Sequence, residues 1–174
     1  MTRKSHEKPF DLKQALREAY AVSEEINQIL LKHLDERAWR AKPAGGKVRD
    51  IAQVVAHIHN VRHMWLMTCG KDMRGLKIPP LLNRAKCTKK QAAAALGRSA
   101  QSMNRLIAEA LERPGGRVKN FPSGVAGFVG YHMAHEAHHR GQVMMLARQA
   151  GYPFAREVNF DLWAPGRRPT GHNK

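Results

Sequence analysis

The residues with the clearest chemical potential are histidines, ten in all, many of them gathered into two short runs. One run reads Tyr131-His132-Met133-Ala134-His135-Glu136-Ala137-His138-His139-Arg140-Gly141-Gln142, and the other reads Val54-Val55-Ala56-His57-Ile58-His59-Asn60, with His63 one turn further on. In a helix each residue turns about 100° from the last. Measured from Phe128, the residues His135, His139, Gln142 and Leu146 then fall within about 40° of one line, which is also the apolar stripe of that segment. Two imidazoles four residues apart on one face can present nitrogens to a single ion. Two ligands bind weakly, so a third should come from a facing helix, where His57, His59 and His63 are available. With the middle of that stripe near Ile58 and Trp65, His57 lies about 80° away, His59 about 120° away on the other side, and His63 further out. Position favours His57 by a small margin.

Histidines also serve as ordinary core or surface residues, bonded to a backbone carbonyl or to water. His59, His63, His132 and His138 read that way. His135 and His139 fit it less well, because two neighbouring imidazoles turned into a core are costly unless both find partners. Glu136 points about 100° off the histidine line and reads as a surface residue or a support behind the ligands. Gln142 and Tyr131 lie nearer the line, placed either to orient a ligand or to complete a core network. Arg140 is expected to hold backbone or a carboxylate. Arg62 could anchor an anionic group, although a structural ion pair is the preferred reading.

Four helices must position these residues. The first is expected from a cap at Asp11, with Gln14 in the capping-box position, to about His33, along the apolar line Leu12, Leu16, Ala19, Val22, Ile26, Ile29 and Leu30. After Pro43-Ala44-Gly45-Gly46 a second run extends from Lys47 to about Cys69, with Gly70 as its terminator. A long connection containing Pro79-Pro80 leads to a third helix, capped by Thr88 with Gln91 and rich in helix formers from Ala92 to Leu111. Pro114-Gly115-Gly116 ends it, and Ser123 is placed to cap a fourth helix that reaches Ala150 and stops at Gly151-Tyr152-Pro153. Antiparallel packing of four such stripes uses almost every apolar residue, which favours an all-α four-helix bundle over any fold with strands. Residues 1–174 read as a single domain, with a bundle core at about 10–152 and an irregular tail at 153–174. Phe154, Phe160, Leu162 and Trp163 should fold the tail back over the bundle before it frays beyond Gly166.

Composition narrows the class further. Hydrophobic residues make up 43% of the 174, enough for a core, yet no stretch approaches the roughly 18 apolar residues of a membrane span. Met1 to Lys8 is polar, with no apolar segment behind it, so the chain reads as cytoplasmic. Cys69 and Cys87 are too few for a disulfide framework and lack the close pairing of a thiolate zinc site, so both are expected as free thiols. The formal charge of +16 attracts polyanions without specifying one. Its basic residues are spread from Arg3-Lys4 through Lys89-Lys90 and Arg117 to Lys119 as far as Arg167-Arg168, with no arm or finger pattern.

The run from His135 to Gln142, together with the run from Val54 through Asn60 to Trp65-Leu66, resembles the final-helix and second-helix motifs of the DinB-like (YfiT-type) metal-dependent hydrolases and thiol transferases. Both motifs stand in that family's order, and the resemblance extends from about Phe10 to Trp163. It implies a four-helix bundle with a long crossover connection, often a homodimer. It also implies a divalent transition metal, commonly nickel or zinc, held by three histidines. Carried over by position, these are His57, His135 and His139. By ligand type copper and iron suit neutral imidazoles as well, and manganese is a further candidate.

Three neutral imidazoles leave the ion's charge uncompensated and a coordination position open, the pattern of a catalytic site more than a sealed structural one. There a water's pKa falls to about 7, or a thiol is deprotonated. The function expected is therefore a metal-dependent thiol transferase or hydrolase acting on a small molecule, with a low-molecular-weight thiol as partner. The alternatives are a stress-related, nucleic-acid-associated basic protein with a structural metal, and a non-catalytic metal-binding scaffold.

Overall fold

The structure, a computed structural model, describes residues 9–42 and 48–164. The expected break at Pro43 to Gly46 and the fraying beyond Gly166 lie outside those residues. Five α-helices account for the fold, and no strand occurs among the described residues: α1 Leu12–His33, α2 Ile51–Gly70, α3 Lys89–Glu112, α4 Gly124–Gln149 and α5 Arg156–Asp161. Among the described residues no helix is long and apolar enough to cross a membrane.

Local chemistry explains where the helices begin. Asp11 caps α1 by accepting from the amides of Lys13 and Gln14 at 2.9 and 3.1 Å. The expected reciprocal bond from Gln14 is not made, because that side chain turns outward to Glu18. The second helix starts at Ile51 rather than at Lys47. Asp50 accepts from the Gln53 amide at 2.7 Å while its own amide donates to Gln53 Oε1 at 3.1 Å, a capping box that the sequence reading overlooked. Thr88 and Gln91 form the expected box at the head of α3. Ser123 precedes α4, but its hydroxyl makes no capping bond.

Gly70 is the last residue of α2, not a left-handed stop beyond it. A Cβ there would lie 2.6 Å from Leu76 Cδ2 and 3.0 Å from Leu106 Cδ1, so the missing side chain allows the connection and α3 to approach closely. The tail is not wholly irregular. It contains the short helix α5, which packs on α1 and buries Val158, with Leu162 buried just beyond it.

Each of α1 and α2 packs against both α3 and α4, which makes α1 and α2 a diagonal pair. The helices α2 and α4 run antiparallel, with His57 facing His139, Arg62 facing Glu136 and Trp65 facing Phe128. The long connection is fastened to α2 by side chains. His59 Nε2 meets the Pro80 carbonyl at 2.9 Å and His63 Nδ1 the Pro79 carbonyl at 2.7 Å. Asn60 both donates to the Leu82 carbonyl and accepts from its amide.

The apolar core is divided in two. One cluster gathers Leu30, Leu31, Val54, Val55, Ile58, Leu96, Val143 and Leu146. The other gathers Tyr20, Leu66, Met103, Leu106, Phe128 and Val129. Cys69 and Cys87 are free and buried, one in each cluster. Between the clusters lies a polar layer to which all four long helices contribute: Ser23 and Asn27 from α1, His59 and Arg62 from α2, Ser99 from α3, and His132 and Glu136 from α4. This layer corrects the expected face of α1, where Leu12 is exposed and Ser23 and Asn27 are turned inward.

The capping box stands two turns before His57 and holds the first turn of the helix that carries it. Asp50→Ala should therefore lower the unfolding free energy by about 1–2 kcal/mol in a denaturant titration. A midpoint identical to that of the wild type would show that α2 does not depend on this cap.

Candidate metal centre

The polar layer is built around Arg62, which is fully buried. Its Nε and Nη2 donate to the two carboxylate oxygens of Glu136, each at 2.7 Å. Its Nη1 reaches Glu24 Oε2 at 2.7 Å and the Leu96 carbonyl at 3.0 Å. Asn27 donates to Glu136 at 2.8 Å, and Arg140 donates to Asn27 Oδ1 at 3.0 Å and to the Ser23 hydroxyl at 3.2 Å. Burial opposes charge on both partners of the central pair. For Glu136 burial is the largest single effect, but Arg62, Asn27 and His132 together outweigh it and hold the carboxyl below its usual range. For Arg62, Glu136, Tyr20 and Glu24 together outweigh burial and keep the guanidinium charged.

One sequence expectation changes here and one holds. Glu136 is fully buried, not a surface group, whereas Arg62 makes the structural ion pair that was its preferred reading, with Glu136 and Glu24. The core line of α4 runs through Val125, Phe128, His132, Glu136, His139, Val143 and Leu146, turned by roughly 50° about the helix axis from the line read from the sequence. His132 is fully buried on it, against Phe128 and Tyr20. Neither of its ring nitrogens has a hydrogen-bond partner, and burial pushes its pKa down to about 3.

His135 and His139 form the neighbouring i, i+4 pair and stand at the seam with α2. There they meet His57, with one ligand nitrogen from each residue within 4.8 Å of the others. His135 and His139 approach through their Nε2 atoms at 3.1 Å. On a tetrahedral ion with bonds of about 2.0–2.1 Å, two nitrogens lie roughly 3.4 Å apart, so this spacing suits a shared ion. Gln142 Oε1 accepts from His139 Nδ1 at 2.7 Å, which places the ring proton on Nδ1 and leaves the Nε2 lone pair free. Gln142 in turn donates to His138 Nε2 at 3.0 Å. Tyr131 stacks on His135, ring centroids 5.9 Å apart, and joins Trp65 and Phe121 in an aromatic wall. These three histidines could hold a metal ion.

Protonation favours the same chemistry. Partial burial, followed by the neighbouring His139, Arg49, His135 and Arg84, pushes His57 down to about 4. Burial is also the largest cause of the lowered values at His135 and His139. All three rings are neutral at pH 7 and present lone pairs. His59 and His63, the other candidates on α2, are engaged with the connection.

The sequence reading missed Arg84, whose Nη2 lies 3.5 Å from His57 Nδ1. It sits in the connection between α2 and α3, where no helical period locates a side chain.

The fold and this seam define a class: a helical bundle with a three-histidine cluster on two antiparallel helices. The comparison with known families gives that class a name. The chain belongs to the DinB family, whose sequence profile matches residues 8–164. No curated protein and no solved structure gives a significant match.

The central ion pair yields its own test. Removing one partner of a buried pair strands the other charge, so Arg62→Met should cost about 3–5 kcal/mol of stability, and Arg62→Met with Glu136→Leu should recover at least half of that loss. Chemical denaturation of the two variants measures both. A single variant within about 1 kcal/mol of wild type would show that the pair is not an organising contact.

Proposed function

We propose that the chain binds one divalent transition metal ion, nickel or zinc first, on His57, His135 and His139, and uses it in a metal-dependent thiol transfer to a small molecule. The observation that carries the reading is the convergence of three neutral imidazole nitrogens at the α2–α4 seam. Membership of the DinB family supports it. A metal held there would supply Lewis acidity, which deprotonates a thiol or lowers the pKa of a water.

The chain's own residues do the rest. Gln142 orients His139 and fixes its tautomer, and Tyr131 limits the rotation of His135 by stacking. Arg62 and Glu136 hold α2 against α4, and with it the distance between His57 and the other two ligands.

Thiol transfer is preferred to hydrolysis because of the state of Glu136. It is the carboxylate whose charge reaches His135 and His139, yet it is buried and occupied by Arg62 and Asn27. It cannot carry protons between water and a leaving group. A thiol that loses its proton on binding needs no such base.

Elemental analysis of protein purified without a metal-affinity tag should find near-stoichiometric metal in the wild type. The metal should be lost in His57→Ala, His135→Ala and His139→Ala and retained in His63→Ala. Lowered histidine pKa values weaken competition by protons. With His57 lowered from 6.5 to about 4 and His135 and His139 also lowered, the metal should be retained below the pH at which ordinary imidazoles take up protons and be lost as the pH falls further. Metal-free protein that resists reconstitution would end this reading.

A homodimer belongs to the same proposal, supported by the exposed apolar side chains of Leu12, Phe160 and Trp163. Light scattering should give the mass of two chains, and a monomer at micromolar concentration would remove it.

A further inference from the structure

The seam that carries the three histidines is chemically different at its two ends. Beyond His135 it is aromatic: Tyr131 stacks on that ring and contacts Trp65 and Phe121, with Tyr131 partly open to solvent. Beyond His57 it is cationic. Arg84 lies against the His57 ring, and Arg49 is close enough for its charge to act on both His57 and His139. Both arginines are exposed. Among the described residues neither has an ion-pair partner.

Arg84 is not simply a loose surface side chain near the site. Arg40 Nη1 donates to its carbonyl at 2.9 Å and to the Asp50 carboxylate at 3.2 Å, and Arg40 Nη2 donates to the Cys87 carbonyl at 2.9 Å. Asn83 Oδ1 closes the turn by accepting from the amides of Ala85 and Lys86. One guanidinium thus ties the cap of α2 to the segment that carries Arg84 and sets that segment over His57.

A guanidinium donates hydrogen bonds and cannot accept them. With a metal-free neutral His57, the Nδ1 lone pair can face Arg84 without conflict. Once His57 serves as a metal ligand that compatibility is lost. If Nε2 binds the ion, the neutral ring carries its proton on Nδ1, and two donors face each other. If Nδ1 binds the ion, a cation stands beside the guanidinium. Either arrangement is relieved by an anionic group that accepts from Arg84 next to the ring.

We infer that the small molecule taken at this site carries an anionic group, bound by Arg84, and an apolar portion that lies towards Tyr131. The inference rests on the metal-dependent reading and adds to it the class of substrate: an anionic thiol, or an electrophile carrying a carboxylate or phosphate. The positive field of the chain as a whole acts at long range and is screened by salt. Arg84 acts at one point.

The test uses the full chain loaded with cobalt(II) and two thiol probes, mercaptosuccinate and 1-thioglycerol, titrated at 0.15 M ionic strength. Binding is read from sulfur-to-cobalt charge-transfer absorption. Mercaptosuccinate should bind at least about tenfold more tightly than thioglycerol, the scale of one charge-assisted hydrogen bond. Arg84→Gln should bring the ratio of the two affinities towards one, with cobalt content unchanged. Arg17→Gln, an exposed charge on α1 far along the chain from the site, should preserve the ratio. Equal affinities in the wild type, or the same loss in Arg17→Gln as in Arg84→Gln, would overturn the inference.

If the protein takes up no cobalt, the metal reading fails separately. In that case the side-chain nitrogen-15 resonance of Arg84 is followed during titration with succinate and with glycerol. A saturating shift with succinate alone supports the anion site, and no shift overturns it.

Discussion

Burying a guanidinium and a carboxylate together in the middle of a bundle costs several kcal/mol per ion unless each polar atom is satisfied. Arg62 and Glu136 meet that condition only because three of the long helices supply contacts to Arg62: Glu24 from α1, the Leu96 carbonyl of α3, and Glu136 itself from α4. Asn27 of α1 completes the carboxylate's shell. The pair therefore fixes register. A slide of α4 along α2 by one residue would break a two-point salt bridge and leave charge stranded between two apolar clusters. With that register set, His57, five residues before Arg62, comes opposite His139, three residues after Glu136.

The two sides of this layer differ in their electrostatics. Inside, the carboxylates of Glu136 and Glu24 are paired with the guanidinium of Arg62. At the seam, partial burial keeps His57, His135 and His139 neutral; the charge of Glu136 reaches His135 and His139 from inside, while the charges acting on His57 are those of Arg49 and Arg84. A divalent cation in such a cluster receives three lone pairs and no negative charge from its ligands. That leaves the demand for an anion to whatever occupies the remaining position, in keeping with activation of a thiol and with the substrate class inferred from Arg84.

The second helix shows how neighbouring histidines divide their work. His57 faces α4. His59 and His63, spaced i and i+4 like His135 and His139 on α4, bond the carbonyls of Pro80 and Pro79 and hold the connection down. Those carbonyls cannot be bonded by the prolines' own segment, which has no regular structure. The same fastened connection delivers Arg84 to the mouth of the site. Histidine spacing alone does not separate the two roles, because both satisfy a helical period.

The sequence by itself determined the helices and much of their limits. Capping at Asp11 and Thr88, the turn at Pro114 to Gly116 and the apolar period are set by interactions within a few residues of one another. It also determined that His135 and His139 share a face, since that follows from helical rotation alone. Tertiary structure decided which face is which. Two i, i+4 pairs are interleaved on α4, His132 with Glu136 and His135 with His139, and an amphipathic count does not rank them, because each pair is polar. The polar layer does, drawing Glu136 inward to Arg62 and thereby turning His135 and His139 to the seam. The box of Asp50 and Gln53 that starts α2 is local, like the caps at Asp11 and Thr88, but the inward Ser23 and Asn27 and the position of Arg84 follow from contacts between residues distant in sequence, and such contacts leave no period for a reader of the sequence to find.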